Sequence, residues 1–207
     1  MLRIISGKFR HRLLEVPQSE NCRPTMDKIR EAVFSSISND VPNCTFLDLF
    51  SGSGAIGIEA LSRGAKKVVF NEIDPSTLRT LRKNVSTYDP HFETCVILKK
   101  DWQQALIGLS GRGEVFDIVY LDPPYQMAEA VNKQAIEMMR DSGLLSPTAI
   151  VIAEQTINPE PIDGFTLKIH KYGRKILGTY KLGQEEEENC IICQFIRPIH
   201  QWSFRSR

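Results

Sequence analysis

The chain has 207 residues, 42% of them hydrophobic and 25% charged, with a formal net charge of +1. That is enough apolar material for one packed domain with modest additions, and too evenly balanced for a disordered chain. No uninterrupted apolar run approaches the ~20 residues that cross a bilayer. "MLRIISGKFRHRLLEV" places charges where a secretory signal needs its apolar stretch, so a cytoplasmic protein is expected.

The first segment is basic: residues 1–30 carry seven Lys/Arg against three acids, whereas residues 31–164 carry eleven against eighteen. Arg3, Lys8, Arg10, Arg12 and Arg23 within one short stretch suit a polyanionic partner. Arg23-Pro24-Thr25 then opens a helix, with Thr25 as its N-cap and Asp27 in its first turn. Ile29, Val33 and Ile37 share one face of that helix, and Lys28 and Arg30 lie on the other. From residue 41 onward, β-branched and aromatic runs alternate with helical patterns. The strands are "TFLDLF" (45–50), "KVVFN" (67–71), "CVILK" (95–99), "FDIVYL" (116–121) and "AIVIAE" (149–154). The helices are Gly54–Arg63, Pro75–Ser86, Trp102–Leu109 and Met127–Ser142, and Asp74-Pro75 starts the second with an N-cap carboxylate and a first-position proline. This alternation predicts a doubly wound α/β fold with a parallel sheet. After residue 160 the rhythm changes to extended runs joined by short turns, "FTLKIH" (165–170), "ILGTYKL" (176–182) and "CIICQFI" (190–196), so the sheet should end in an antiparallel hairpin with one further strand. Residues 165–183 and 197–207 are again basic, and the run Glu185 to Glu188 reads as a solvated turn.

Gly52, Gly54 and Gly57 form G-x-G-x-x-G between the first strand of this alternation and its helix. Such a turn lets a ligand approach the backbone, and Glu72, ending the next strand, is placed to take ribose hydroxyls. Dinucleotide enzymes and S-adenosylmethionine enzymes share that plan. Asp48, two residues before the end of the first strand, favours the second: a carboxylate repels a pyrophosphate but suits a ligand with an ammonium and a sulfonium. Asp101, directly after the third strand, can accept from an adenine amino group and can also cap the helix that starts at Trp102.

Asp122-Pro123-Pro124-Tyr125 falls at the carboxyl end of the fourth strand, beside the glycine turn, where open α/β sheets bind ligands. Proline fixes the preceding residue as extended and lacks an N–H, so Asp122 and the Pro123 carbonyl present two acceptors in a fixed geometry. Two acceptors that grip the N–H bonds of an exocyclic base amine can turn its delocalised lone pair toward an electrophilic methyl group. Tyr125 can stack on the base.

In this order "RIISGKFRHRLL", "RPTMDKIREAVFSSI", "DLFSGSGAIGIEALSRGA", "NEID" and "DPPY" resemble the bacterial 16S ribosomal RNA guanine-N2 methyltransferases, from about Arg3 to Leu182. The resemblance implies S-adenosylmethionine as methyl donor, the N2 amine of a guanine in small-subunit RNA as target, and a seven-stranded Rossmann-like sheet whose last strand is antiparallel. By motif position it assigns the donor to Asp48, Ser51, Gly52, Gly54, Glu72, Ile73, Asp101 and Trp102, and the target base to Asp122, Pro123, Pro124 and Tyr125. It implies that Arg3, Lys8, Arg10 and Arg12 meet RNA phosphates while Arg23, Pro24 and Thr25 line the cleft, and Arg30 joins them among the substrate-binding residues. The implied organisation is a basic RNA-binding extension over 1–40, a methyltransferase domain over 41–183 and an extra strand and tail over 184–207, acting as a monomer on 16S RNA or the assembling small subunit.

Five cysteines, an odd number, argue for reduced thiols, and the lone C-x-x-C of Cys190 and Cys193 reads as part of a strand. The four histidines share no metal-binding spacing, so no metal is expected. A DNA adenine-N6 methyltransferase would use the same Asp-Pro-Pro-Tyr chemistry, but the ~40 residues ahead of the first strand leave little room for a DNA-recognition domain. A nicotinamide oxidoreductase explains the glycines and leaves Asp122 to Tyr125 without a task.

Overall fold

In the computed structural model, residues 2–17 and 24–183 are described, the first three residues of the first helix by backbone alone. The basic front forms a short hairpin, β1 (Leu2–Arg3) and β2 (Leu13–Leu14), followed by α1 (Pro24–Ser36). Pro24 is already helical, which places Thr25 inside the first turn rather than at the N-cap. The alternating region comprises β3 (Thr45–Asp48), α2 (Ala55–Ser62), β4 (Lys67–Asn71), α3 (Pro75–Tyr88), β5 (Cys95–Leu98), α4 (Trp102–Ser110), β6 (Phe116–Leu121) and α5 (Ala128–Asp141). It closes with β7 (Leu145–Gln155), β8 (Phe165–Tyr172) and β9 (Lys175–Leu182). Every element expected between residues 41 and 183 is present. The further strand over 190–196, with Cys190 and Cys193, and Arg23 lie outside the described residues.

Seven strands form one sheet in the order β5-β4-β3-β6-β7-β9-β8. All pairings from β5 to β7 are parallel, and β9 is antiparallel to both of its neighbours. The fold is therefore a mostly parallel, doubly wound α/β sheet with an antiparallel hairpin at its end, and the strand order reverses between β3 and β6. Successive strand residues point to opposite faces. Phe46, Val68, Phe70, Ile118 and Ile152 pack under α1, α2 and α3, while Leu47, Val69, Val119 and Val151 pack under α4 and α5. No helix among the described residues is long and apolar enough to cross a membrane.

The N-terminal segment shares the first of these cores, to which Leu2, Ile4, Leu14, Ile29 and Phe34 contribute buried side chains. Its polar anchor is Glu59 of α2, which is 0% exposed. The carboxylate accepts the backbone N–H of Ile5 at 2.8 Å and of Ser6 at 3.0 Å, and Nε of Arg63 at 2.8 Å. Arg30 Nε lies 3.8 Å from it. Asn84 of α3 adds a second tie: it bonds both backbone groups of Glu15 and donates to the carbonyl of Ser53 in the glycine turn. The basic hairpin is thus linked through Asn84 to the turn that follows β3.

Candidate active site

Parallel strands present their carboxyl ends to one edge of the sheet, and the reversal between β3 and β6 leaves a crevice there. Asp48, Glu72, Asp101 and Asp122 come from the ends of β3, β4, β5 and β6 and line one cavity of about 430 Å³. Ser51, Gly52, Ile73, Trp102 and Pro124 complete most of the expected set around it.

The glycine turn is shaped by backbone need. Gly52 has φ +52 and donates its N–H to Glu72 Oε2 at 3.0 Å. Gly54, with φ +84, caps α2, and a Cβ there would stand 2.5 Å from Leu81. Gly54 shapes the turn without lining the cavity. Gly57 lies against the sheet, where a Cβ would meet the Phe70 ring at 2.2 Å. The three glycines therefore serve ligand approach, helix start and helix-to-sheet packing in turn.

Asp48 is buried, and its Oδ2 accepts the Gly57 N–H at 3.0 Å. Burial raises its carboxyl to about 7; that hydrogen bond opposes the rise, while Asp122 and Glu72 add to it. Glu72 is also raised, mainly by burial, although each oxygen accepts a backbone N–H, from Gly52 and from Asp74. Asp101 accepts the Gln103 N–H at 2.9 Å and so caps α4 while facing the cavity. Sequence reading did not single out Asn71. Its side chain bonds the carbonyls of Leu49 and Lys100 and the N–H of Lys100, stapling the ends of β3, β4 and β5. An asparagine ending an apolar strand is the available signal.

On the other side of the cavity, Asp122 is 40% exposed and its Oδ2 lies 3.5 Å from Lys175 Nζ. The same ammonium bonds Glu154 Oε2, and the Tyr120 hydroxyl donates to Glu154 Oε1. Burial and the nearby carboxylates of Glu154 and Asp122 hold the Tyr120 phenol well above its ordinary range, so it stays protonated as a donor. Pro123 and Tyr125 face a small adjoining recess shared with Asp122, Glu154, Gln155 and Lys175. Tyr125 is 64% exposed, open to a flat partner. Among the described residues the cavity carries five carboxylates, Asp48, Glu72, Asp101, Asp122 and Glu154, against the cations Arg30, Lys100 and Lys175. Such a surplus suits a cationic ligand and opposes a pyrophosphate.

The residues expected to meet RNA divide. Arg3, Lys8, Arg10 and Arg12 stand on the hairpin and its loop, where Lys8 and Arg12 flank the Phe9 ring. Arg30 instead is 3% exposed: its Nη2 donates to the Arg3 carbonyl and to Asp27, and its side chain forms part of the cavity wall. Its guanidinium is thus held inside the wall of the cavity and not on the exposed face of the hairpin loop. Pro24 and Thr25 stand in the first turn of α1, where the structure describes the backbone alone.

Residues 2–182 match the family described as conserved hypothetical protein 95. The chain is 37% identical over 153 residues to the ribosomal RNA small subunit methyltransferase D of Haemophilus influenzae, covering 74% of this chain and 78% of that one. It is 32% identical over 190 residues to the protein of the same name in Escherichia coli, covering 90% and 91%. A solved Escherichia coli structure titled as a methyltransferase superposes with a TM-score of 0.75 at 30% identity, covering 87% of this chain and 97% of that one.

Proposed function

The chain belongs to the conserved hypothetical protein 95 family, and from that premise we propose that it transfers a methyl group from S-adenosylmethionine to the N2 amine of a guanine in small-subunit ribosomal RNA. The observation that carries this reading is Asp122-Pro123-Pro124-Tyr125 at the end of β6, set against an acid-rich cavity beneath a glycine turn. The relatives' names support the RNA class, and the guanine amine rests on the resemblance of the motifs taken together. The DNA adenine-N6 reading has no support from those relatives, and the carboxylate surplus disfavours a nicotinamide dinucleotide.

The residues present fit the donor. A cavity of about 430 Å³ is of ligand size. Glu72, whose oxygens already accept backbone N–H groups, would take the ribose hydroxyls on its remaining acceptor capacity, Asp101 would meet the adenine, and Asp48 would offer the negative charge that an ammonium and a sulfonium require. S-adenosylmethionine, when bound, supplies the electrophilic methyl group. Asp122 and the Pro123 carbonyl accept the N–H bonds of the target amine and turn its lone pair out of conjugation with the ring. Asp122 need not remove a proton in advance, since the amine becomes strongly acidic only as it gains positive charge, and the proton then leaves to Asp122 or to water. Tyr125 holds the base by stacking.

The deciding experiment incubates the protein with labelled S-adenosylmethionine and separates RNA, DNA and protein acceptors, then digests the RNA to nucleosides. Label in 2-methylguanosine of 16S RNA is expected; label in DNA, or none in RNA, sinks the proposal.

Donor binding should depend on pH through Asp48. Its folded carboxyl, raised to about 7, lies above the ordinary carboxylate value, so ionisation costs folding stability. That stability is complete at acid pH and is lost as pH rises through about 7. A cationic donor selects the ionised form, so its affinity should fall below pH 7 by up to about tenfold per unit, with a proton released on binding. Asp48→Asn should flatten the profile. Calorimetry in buffers of different ionisation enthalpy counts the proton, and a pH-independent affinity in the parent protein would remove Asp48 from the donor site.

The hairpin loop is expected to bind phosphates. Replacing Lys8, Arg10 and Arg12 by Ala should weaken RNA binding and reduce the slope of log affinity against log salt by about 0.7–0.9 for each phosphate no longer neutralised, leaving donor affinity intact. An unchanged slope would make the loop a solvated surface.

A further inference from the structure

We propose that Lys175 is a positioning residue of the methyl-transfer site, its ammonium bridging Asp122 and Glu154 so that the Asp122 carboxylate is held for the target amine. This rests on the methyltransferase reading above. Nothing in the sequence motifs points to this lysine, which sits in the turn "KYGRK" more than fifty residues after Asp122.

The topology brings it there. β8 and β9 form a hairpin with Gly173 and Arg174 between Tyr172 and Lys175, and Gly173 takes φ +62. The second strand of the hairpin, β9, pairs with β7, and it runs antiparallel, with Gln155 opposite Ile176 and Glu154 opposite Leu177. Its first residue therefore emerges at the carboxyl edge of the parallel strands, where every other strand of the site ends.

The geometry gives the lysine a defined task. Its Nζ bonds Glu154 Oε2 and lies 3.5 Å from Asp122 Oδ2, and the other Glu154 oxygen accepts the buried Tyr120 hydroxyl. Asp122 is the exposed end of this chain and Tyr120 the end fixed in the core. The ammonium on Oδ2 restrains the rotation of the Asp122 carboxylate, which faces the cavity where the amine would enter. Burial by itself lowers the lysine's proton affinity, but the Asp122 and Glu154 carboxylates outweigh it and hold the ammonium above the ordinary lysine range. The Lys175 ammonium thus stays charged through neutral pH. It leaves the Asp122–Lys175–Glu154 group with one net negative charge to face an amine that becomes positive.

The charged and titratable groups around the bridge are Tyr120 from β6, Glu154 from β7 and Asp122 from the loop between β6 and α5. Across the cavity stand Asp48, Glu72 and Asp101 with Arg30 and Lys100. Without Lys175, Asp122 and Glu154 lose the cation that they share within that acidic wall.

The test compares the parent with Lys175→Met and Lys175→Arg in single-turnover methyl transfer to deproteinised 16S RNA across pH, with donor affinity and thermal midpoint measured in parallel. Lys175→Met should lose about 10- to 100-fold in the transfer rate, as expected for a misplaced acceptor. Its acid limb should move up by about one pH unit, while donor affinity stays within about twofold. Lys175→Arg, which keeps the charge, should restore the parent's acid limb and most of the rate. A Lys175→Met protein with the parent's rate and pH profile overturns the proposal. So does one whose rate falls only in step with donor affinity or thermal midpoint, with the profile unmoved. A parent that transfers no methyl group to RNA overturns the functional reading, and this inference with it.

Discussion

Asp122→Asn is expected to slow single-turnover methyl transfer about 100-fold or more, by analogy with other sites where one closely aimed polar group is removed. The substitution keeps the shape and replaces one acceptor oxygen by an NH2 donor. Lys175 decides where that donor points: its ammonium lies 3.5 Å from Asp122 Oδ2 and repels an NH2 group, so the amide oxygen turns to Lys175 and the NH2 turns to the target amine. Donor then meets donor at the reacting atom. Because Asp122 is 40% exposed and the amide oxygen can still face Lys175, the folded protein should lose no more than about 1 kcal/mol. Donor affinity should change little. Tyr125→Phe should be mild because stacking persists, whereas Tyr125→Ala should lose about 1–3 kcal/mol of base binding. An Asp122→Asn protein that transfers methyl at the parent rate would take this site out of the mechanism.

Glu59→Ala should destabilise the protein by about 3–5 kcal/mol, the cost of removing one partner from a buried ion pair. The Glu59 carboxylate is fully buried and takes three hydrogen bonds, from Ile5, Ser6 and Arg63. Among the described residues Arg30, 3% exposed, would keep one ion-pair partner, Asp27. Glu59→Gln keeps the shape but has only one acceptor oxygen, so it should cost less, about 1–3 kcal/mol. Urea unfolding measures both. Amide exchange should locate the first loss of protection over residues 4–12, since the loop hangs from Glu59 and Ser62. A Glu59→Ala midpoint equal to the parent's would show that the anchor contributes nothing.

The sequence by itself determined the alternation of strands and helices, because the period of apolar residues and the turn chemistry are local. It also determined which acids stand at strand ends. Asp48, Glu72, Asp101 and Asp122 each follow a short apolar run, and in a parallel sheet all such ends share one edge, so their meeting in one cavity was legible without coordinates. The left-handed turn residues Gly52 and Gly54 were legible for the same local reason. What only the tertiary structure decided is nonlocal. A period of two says that a residue points to one face of a sheet, but not which strand lies beside it, and so the insertion of β9 between β7 and β8 was not written in "ILGTYKL". That insertion delivers Lys175 to Asp122 and Glu154. Helical spacing placed Arg30 opposite the apolar face of α1, which suggested solvent, yet the N-terminal hairpin covers it with the Arg3 carbonyl and turns it into the cavity wall. Glu59 reads as an ordinary helix surface position until the hairpin brings two unpaired N–H groups onto it. In each case the missing information was a neighbour distant in sequence, and a buried charge is tolerated only where such a neighbour supplies its hydrogen bonds.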